Sequence, residues 1–433
     1  LAGTGVRAGG GLVNIPVYNE YLTSGQTLDG AVRENYLSAL FGSASSGTTK
    51  GISTTVDVVP LGVSYRAEQS AYSVAIRSRA LVNLDFSRGF YELGLYGLDG
   101  DQFADPRAVN FQFEAIGFSE VSIGYAREVL AIDNLLFAKN IKVFAGVAPK
   151  FMIATGYNRI NMASTMQVTR DPVSNAAVNV RHDFTYNIST YGDLGTELDD
   201  FQQELSVNPD AEFGDFVGDG SYAGADFSGV AFDFGGTVQM DISGVPFLDG
   251  PLFGKKTLTV GLSFTDIGNV SFSDNPVLAT NSNVFDFSGA PAGEDPQDFF
   301  DNLADSVQND IYLDYDVNEA DEIKYSLPGS MNFGAHLQMG KLGAALDYSA
   351  GYNGSGTNSQ FSTLALGVEY RFFNFLPLRV GVRNGGFSSR VYTAGLGLDF
   401  RFLEFTFAAA LPSGADRNGS GLAFAFSGLN FRF

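Results

Sequence analysis

Eight basic residues recur on one side of a two-residue repeat: Arg77, Arg79, Lys142, Lys150, Arg371, Arg379, Arg383 and Arg401. Guanidinium groups at such positions match carboxylate or phosphate oxygens in pairs, so the row reads as a site for an anionic head group. Asp347, Glu369 and Asp399 share the phase, and the plainer alternative is that these charges pair with one another and stiffen the surface that carries them. With more basic than acidic positions in the phase, that surface is expected to be positive. His336 falls on it beside Ser330, Asn332, Gly334 and Gln338, as part of a polar lining. Near the end of the chain Leu422, Phe424 and Phe426 enter the same phase. Either an apolar path runs there, or a bulge near Ser427-Gly428 exchanges the two faces.

Covalent chemistry has little to work with. The two histidines, His182 and His336, stand near no serine or cysteine in a recognisable nucleophile setting, and the chain is not expected to be an enzyme. Asp314-Tyr315-Asp316-Val317-Asn318 opens like a calcium loop. Glu319 then stands where glycine is needed and Tyr325 where the bidentate glutamate belongs, so no metal or other cofactor is expected.

The elements that must position these residues are strands. Leu364, Leu366, Val368, Tyr370 and Phe372 alternate with Thr363, Gly367, Glu369 and Arg371, and Leu396, Leu398 and Phe400 alternate with Gly395, Gly397 and Asp399. A soluble sandwich would have to put one of these faces in a dry core, which arginine does not tolerate. A wet lumen inside and lipid outside resolve the conflict. The runs are about ten residues long, the length of a tilted strand crossing a bilayer. The fold class is therefore all-β, a transmembrane antiparallel barrel of about 14 strands (roughly 12–16). Strands are expected at 54–66, 72–83, 112–127, 140–153, 178–189, 225–240, 257–270, 325–339, 341–352, 361–372, 376–383, 391–402, 405–411 and 422–433, with 165–170 as an extension or an extra strand. Gly340-Lys341 and Phe373-Asn374-Phe375 leave room only for tight turns, whereas 353–360 and 412–421 are longer and polar. Short turns on one side and long loops on the other match the periplasmic and extracellular ends of such barrels.

Charge separates wall from connections. The net charge is −22, yet 28 of the 48 acidic residues and only Lys255 and Lys256 of the 26 basic ones fall between His182 and Ile323. Such a chain is a poor ligand for nucleic acid. Two domains are expected: residues 1–51, a plug or periplasmic segment with a helix around Leu28–Phe41, and residues 52–433, the barrel. Its long acidic loops lie near 191–224 and 273–323, the second carrying a short helix over Pro296–Asn309. Those loops read as a solvated surface, or as docking sites for protein partners outside the cell. The other expected partners are outer-membrane lipids and an apolar small-molecule ligand. Tryptophan is absent, so Tyr and Phe must fill the interfacial girdle.

The last six residues, Gly428-Leu429-Asn430-Phe431-Arg432-Phe433, resemble the C-terminal assembly signal of outer-membrane barrels, with Phe426 at its usually polar first position. Phe232-Asp233-Phe234-Gly235-Gly236, Phe264-Thr265-Asp266-Ile267-Gly268 and Leu327-Pro328-Gly329-Ser330-Met331-Asn332-Phe333-Gly334 look like strand entries of the FadL-like, PorV-like outer-membrane barrel superfamily of Bacteroidota type. Gly3-Thr4-Gly5-Val6-Arg7-Ala8-Gly9-Gly10 is similar to the glycine-rich start of its N-terminal hatch; in place of the Asn-Pro-Ala motif stands Val13-Asn14-Ile15-Pro16. The resemblance implies fourteen strands, a small plug and uptake of hydrophobic or amphipathic, fatty-acid-like molecules across a Gram-negative outer membrane. The alternative it carries is a non-transporting barrel, an anchor or shuttle in a secretion or surface-assembly complex.

Overall fold

The computed structural model describes residues 3–12, 17–22, 25, 27–97, 101–170, 172–173, 177–192, 196–197, 200–201, 203–204, 207–208, 227–245, 254–273, 275–287, 316–355, 360–386, 388–400, 402–412 and 421–431. Side chains of 7, 9, 22, 177–178, 319, 388–389, 412 and 421–431 are outside that description. The strands are β1 Gly3–Gly9, β2 Thr49–Arg66, β3 Ser70–Ser87, β4 Arg107–Ala108, β5 Phe111–Leu135, β6 Ala138–Arg170 and β7 Ala177–Tyr191. There follow β8 Phe227–Asp241, β9 Lys256–Phe272, β10 Val277–Phe287, β11 Asp316–Glu319, β12 Ile323–Ser326 and β13 Ser330–Met339. The last six are β14 Leu342–Gly351, β15 Thr363–Phe373, β16 Leu376–Gly385, β17 Ser388–Asp399, β18 Leu403–Pro412 and β19 Gly421–Phe431.

Backbone pairing runs β1, β2, β3, β5, β6, β8, β9, β13, β14, β15, β16, β17, β18, β19 and returns to β1, antiparallel at every step. Among the described residues, fourteen strands thus close a barrel with no free edge. Their membership differs from the sequence expectation in one place. The 178–189 stretch is not wall: β7 pairs with the far half of β6 and with β10, while β8 takes the near half of β6. The vacant place in the ring is filled by Gly3–Gly9, so this part of the segment read as a plug is wall. Likewise β10 and β11 form inside the acidic stretch read as loop. β6 continues unbroken to Arg170, which makes 165–170 a strand extension.

The pleat sorts side chains as their polarity demands. Leu61, Val63 and Tyr65 of β2, Tyr72 and Val74 of β3, Leu364, Leu366 and Val368 of β15 and Leu396 and Leu398 of β17 are all exposed on the outer surface. One end of the barrel has short turns: Ala67 to Gln69, Leu136-Phe137, Gly340-Lys341 and Asn374-Phe375. Aromatic rings gather there, Phe375 stacking on Phe373 (centroids 5.5 Å) and on Phe400 (5.7 Å). The other end gathers most of the long connections and two helices, α1 (Gly30–Phe41) and α2 (Arg88–Tyr96). Ser87 caps α2 by accepting a hydrogen bond from Phe90 N (3.2 Å), and Gly97 at φ 63° ends it. Phe41 packs on Tyr91 at 5.4 Å, with Tyr36, Leu37 and Leu40 buried around them. α1 therefore sits with the long connections, not at the short-turn rim expected of a periplasmic segment.

Candidate functional site

The lumen holds three layers. On the short-turn side is a cavity of about 900 Å³ lined by small and hydroxylated residues, among them Ser73, Gly124, Ala148, Thr237 and Ser263. Alternation places these in the inward phase of β3, β5, β6, β8 and β9, where a side chain of any size would fill the space. Asp233 and Asp347 are the carboxylates at its edge.

A belt of charge lies deeper. Arg79 reaches Asp266 with both terminal nitrogens (2.8 and 3.0 Å) and Glu120 with one (3.0 Å). Lys150 Nζ lies 2.5 Å from Asp266, 2.8 Å from Asp233 and 3.8 Å from Glu120. Arg77 joins through Asp57 at 2.7 Å. The Arg79, Glu120 and Lys150 side chains are only 3–4% exposed. Charges this far from water persist only when opposed and hydrogen-bonded, and here three cations meet four carboxylates. The positive lumen expected from the sequence is corrected by this finding: Asp57, Glu120, Asp233 and Asp266 cancel it. Asp233 and Asp266 were visible only as letters of a family-like motif, and Asp57 and Glu120 needed nothing beyond the parity of their own strands.

Above the belt the lumen is apolar. Beyond Thr265, β9 leaves its wall partner β13 and pairs with β12 instead. The bend is made by Asp266 at φ 57° and Gly268 at φ 158°, with Asp266 N donating to Asp233 Oδ1 (2.8 Å). A Cβ at Gly268 would lie 2.6 Å from Val230 O. The bent ribbon carries Val270, Phe272, Tyr325 and Leu327 onto Leu81, Ile116, Phe118 and Met152 of β3, β5 and β6, all buried. Phe272 meets Tyr157 at 5.2 Å and Tyr191 at 5.1 Å. Packing of this kind forms a dry layer over the inner faces of β3, β5 and β6, pinned by the ion pairs of Asp266.

The remaining sequence-selected residues divide. Glu369 accepts from Arg371 Nε (2.8 Å) and Arg379 Nε (2.7 Å), and Arg371 reaches Asp399 at 2.8 Å, so these form a paired ladder near the short-turn rim. Lys142 pairs with Glu128 at 2.8 Å. His336 is exposed to the lumen beside Gly343. Arg383 lies on the inward phase of β16 without a carboxylate, and its Nε is buried with no hydrogen-bond partner. Arg401, Pro296–Asn309 and Phe433 lie outside the described residues. For β19, the register against β18 shifts between Glu404 and Thr406, an irregularity at the level of Ser427-Gly428, where a bulge was one of the two alternatives. It sets Phe424 in register with Ala409 and Phe426 in register with Phe407 of β18.

A family model described as "Family of unknown function (DUF5723)" matches residues 11–411. No curated protein matches. Among solved structures the chain is similar to the Ralstonia pickettii toluene transporter TbuX (9% identity, 100% of this chain and 88% of that one, TM-score 0.39). It is also similar to the P. putida toluene transporter TodX (9% identity, 100% and 90%, TM-score 0.38). A third is the translocator domain of the autotransporter NalP from Neisseria meningitidis (9% identity, 100% and 87%, TM-score 0.26).

Proposed function

This chain belongs to the DUF5723 family, whose function is unknown, and from its lumen we propose that it carries hydrophobic or amphipathic small molecules, fatty-acid-like among them, across a Gram-negative outer membrane. The exposed outer belt of Leu61, Val63, Leu364, Leu366 and their neighbours suits lipid. On this reading the short turns face the periplasm and the long connections face outside. No helix among the described residues is long and apolar enough to cross a membrane, and the strands do the crossing.

The observation that carries the reading is the apolar layer of Leu81, Phe118, Met152, Phe272 and Leu327 that the inward ribbon packs inside the barrel. Ions and sugars lose hydration in such a constriction, whereas an apolar solute gains about 25 cal/mol for each Å² it buries. The interior is roofed but not filled, since the chamber beneath the layer stays open. An anchor serving only as a complex component needs no such chamber. No step of the reading is catalytic; the chain acts as a conduit.

Uptake of a radiolabelled medium-chain fatty acid by Gram-negative cells displaying the protein tests this, because their lipopolysaccharide leaflet slows apolar solutes. Faster uptake than in empty-vector cells, with little ion conductance of the purified barrel in planar bilayers, is the expected result. A wide, ion-conducting pore without cargo preference would overturn it.

A further inference from the structure

Six of the basic lumen residues singled out by spacing have a carboxylate partner: Arg77, Arg79, Lys142, Lys150, Arg371 and Arg379. Arg383 does not. On the acidic side Asp347 makes no ion pair or hydrogen bond among the described residues, although Asp233, its fellow at the edge of the chamber, is held by Lys150. These two unmatched charges are near one another. Asp347 is in register with Ala365 on β15, and Ala365 is in register with Arg383 on β16. Directly opposed residues share a face, so all three point into the lumen, with the two charged positions two strand spacings apart, about 10 Å between Cα atoms.

We propose that Asp347 and Arg383 together bind a zwitterion, a molecule that carries an ammonium and a phosphate or carboxylate on one short spacer. A plain anion drawn to Arg383 meets the Asp347 carboxylate beside it, and a plain cation meets the reverse. Only a ligand bearing both charges satisfies both groups. The ground between them is smooth: Ala365 offers a methyl group, and Gly367 and Gly381 flank it on the inward phase. Gly334, across from Asp347, leaves room for the carboxylate, since a Cβ there would sit 3.0 Å from Asp347 Oδ1. The Arg383 guanidinium makes no ion pair with a described carboxylate, and a bound phosphate or carboxylate supplies the missing opposite charge.

The proposal deepens the transport reading by naming a head group, but binding here requires no passage, so each can fail alone. Purified barrel in maltoside micelles is titrated, by native mass spectrometry, with three chain-matched amphiphiles: dodecylphosphocholine, dodecyltrimethylammonium and dodecyl sulfate. The wild type is expected to hold the zwitterion about tenfold more tightly than either singly charged compound, the effect of one charge-assisted contact. Asp347→Asn should shift preference toward the sulfate and Arg383→Gln toward the ammonium, while Arg383→Lys keeps the original ranking and shows that the fold tolerates change there. Competition by free phosphocholine would place the natural ligand among soluble zwitterions; competition only by the chain-bearing compound would place it among lipids. Equal binding of all three head groups by the wild type, or a ranking unmoved in both charge-removing variants, overturns the proposal.

Discussion

Asp266 ties the charged belt to the wall's bend: it takes Arg79 by two nitrogens, takes Lys150, and sits at the bend of β9. Truncating it takes from two buried cations their closest carboxylate and leaves them Glu120 and Asp233, and breaking a buried pair this way costs about 3–5 kcal/mol. Asp266→Ala is therefore expected to lower the denaturant midpoint of the barrel sharply, whereas Asp233→Ala, removing one contact to Lys150 and the acceptor of Asp266 N, should cost less. Equal midpoints for the two would show that the cluster is not organised around Asp266. His182 gives a pH test away from the membrane-spanning ring. Burial against Phe184 pushes its imidazole below the ordinary value of 6.5, with Asp183 opposing weakly. The folded form thus prefers neutral histidine, so its stabilising share is present above pH 6.5 and is lost as pH falls below it. Amide exchange in β7 and β10 should quicken on acidification through that range, and His182→Phe should flatten the change. At this scale the sequence was half legible. Parity placed Arg77, Arg79, Arg371 and Arg379 inside, but parity within one strand says nothing about which carboxylate on another strand comes within 3 Å.

Elements were more legible where both faces of a strand are committed. β13 to β18 alternate so regularly because lipid and water select opposite residues on each, and their expected positions lie within a few residues of the observed ones. Legibility fails where a strand is not flanked by lipid and water. β7 stands beyond the ring, and β12 and the end of β9 fold inward; alternation persists there, with Arg181 and Asp183 exposed beside buried His182 and Phe184, but it no longer tells a wall strand from one outside the wall. The bend itself was present only as Asp266-Ile267-Gly268, a triplet whose conformation no hydropathy pattern reports. It has a steric test. At Gly268 a Cβ would lie 2.7 Å from Ala231 Cα at a φ of 158°, so Gly268→Val should cost about 2–4 kcal/mol and unseat the ribbon. Ion conductance through the variant should rise if the apolar layer is what blocks the lumen. A destabilised variant that remains non-conducting would move the block elsewhere.

The whole molecule depends on a seam that the sequence concealed. Gly3–Gly9 is short and glycine-rich, without the alternation of its neighbours, and such a segment reads more readily as a hatch than as a strand. In the structure it lies between β19 and β2, antiparallel to both, with Gly3 opposite Ser427 on one side and Val59 on the other. Direction is what makes it indispensable. Because β19 and β2 each run opposite to β1, they run parallel to each other, and the thirteen remaining wall strands cannot close by antiparallel pairing alone. Without β1, the seven positions paired on each side would present unmatched backbone groups to lipid, at several kcal/mol each. A chain lacking residues 1–10 is therefore expected not to reach the folded, heat-resistant form in detergent, although it keeps every residue of the charged belt and the apolar layer. A synthetic peptide spanning residues 1–12, added during refolding, should restore that form by supplying the strand in trans. Normal folding of the shortened chain would mean that the ring closes some other way and that the N-terminal strand is an accessory.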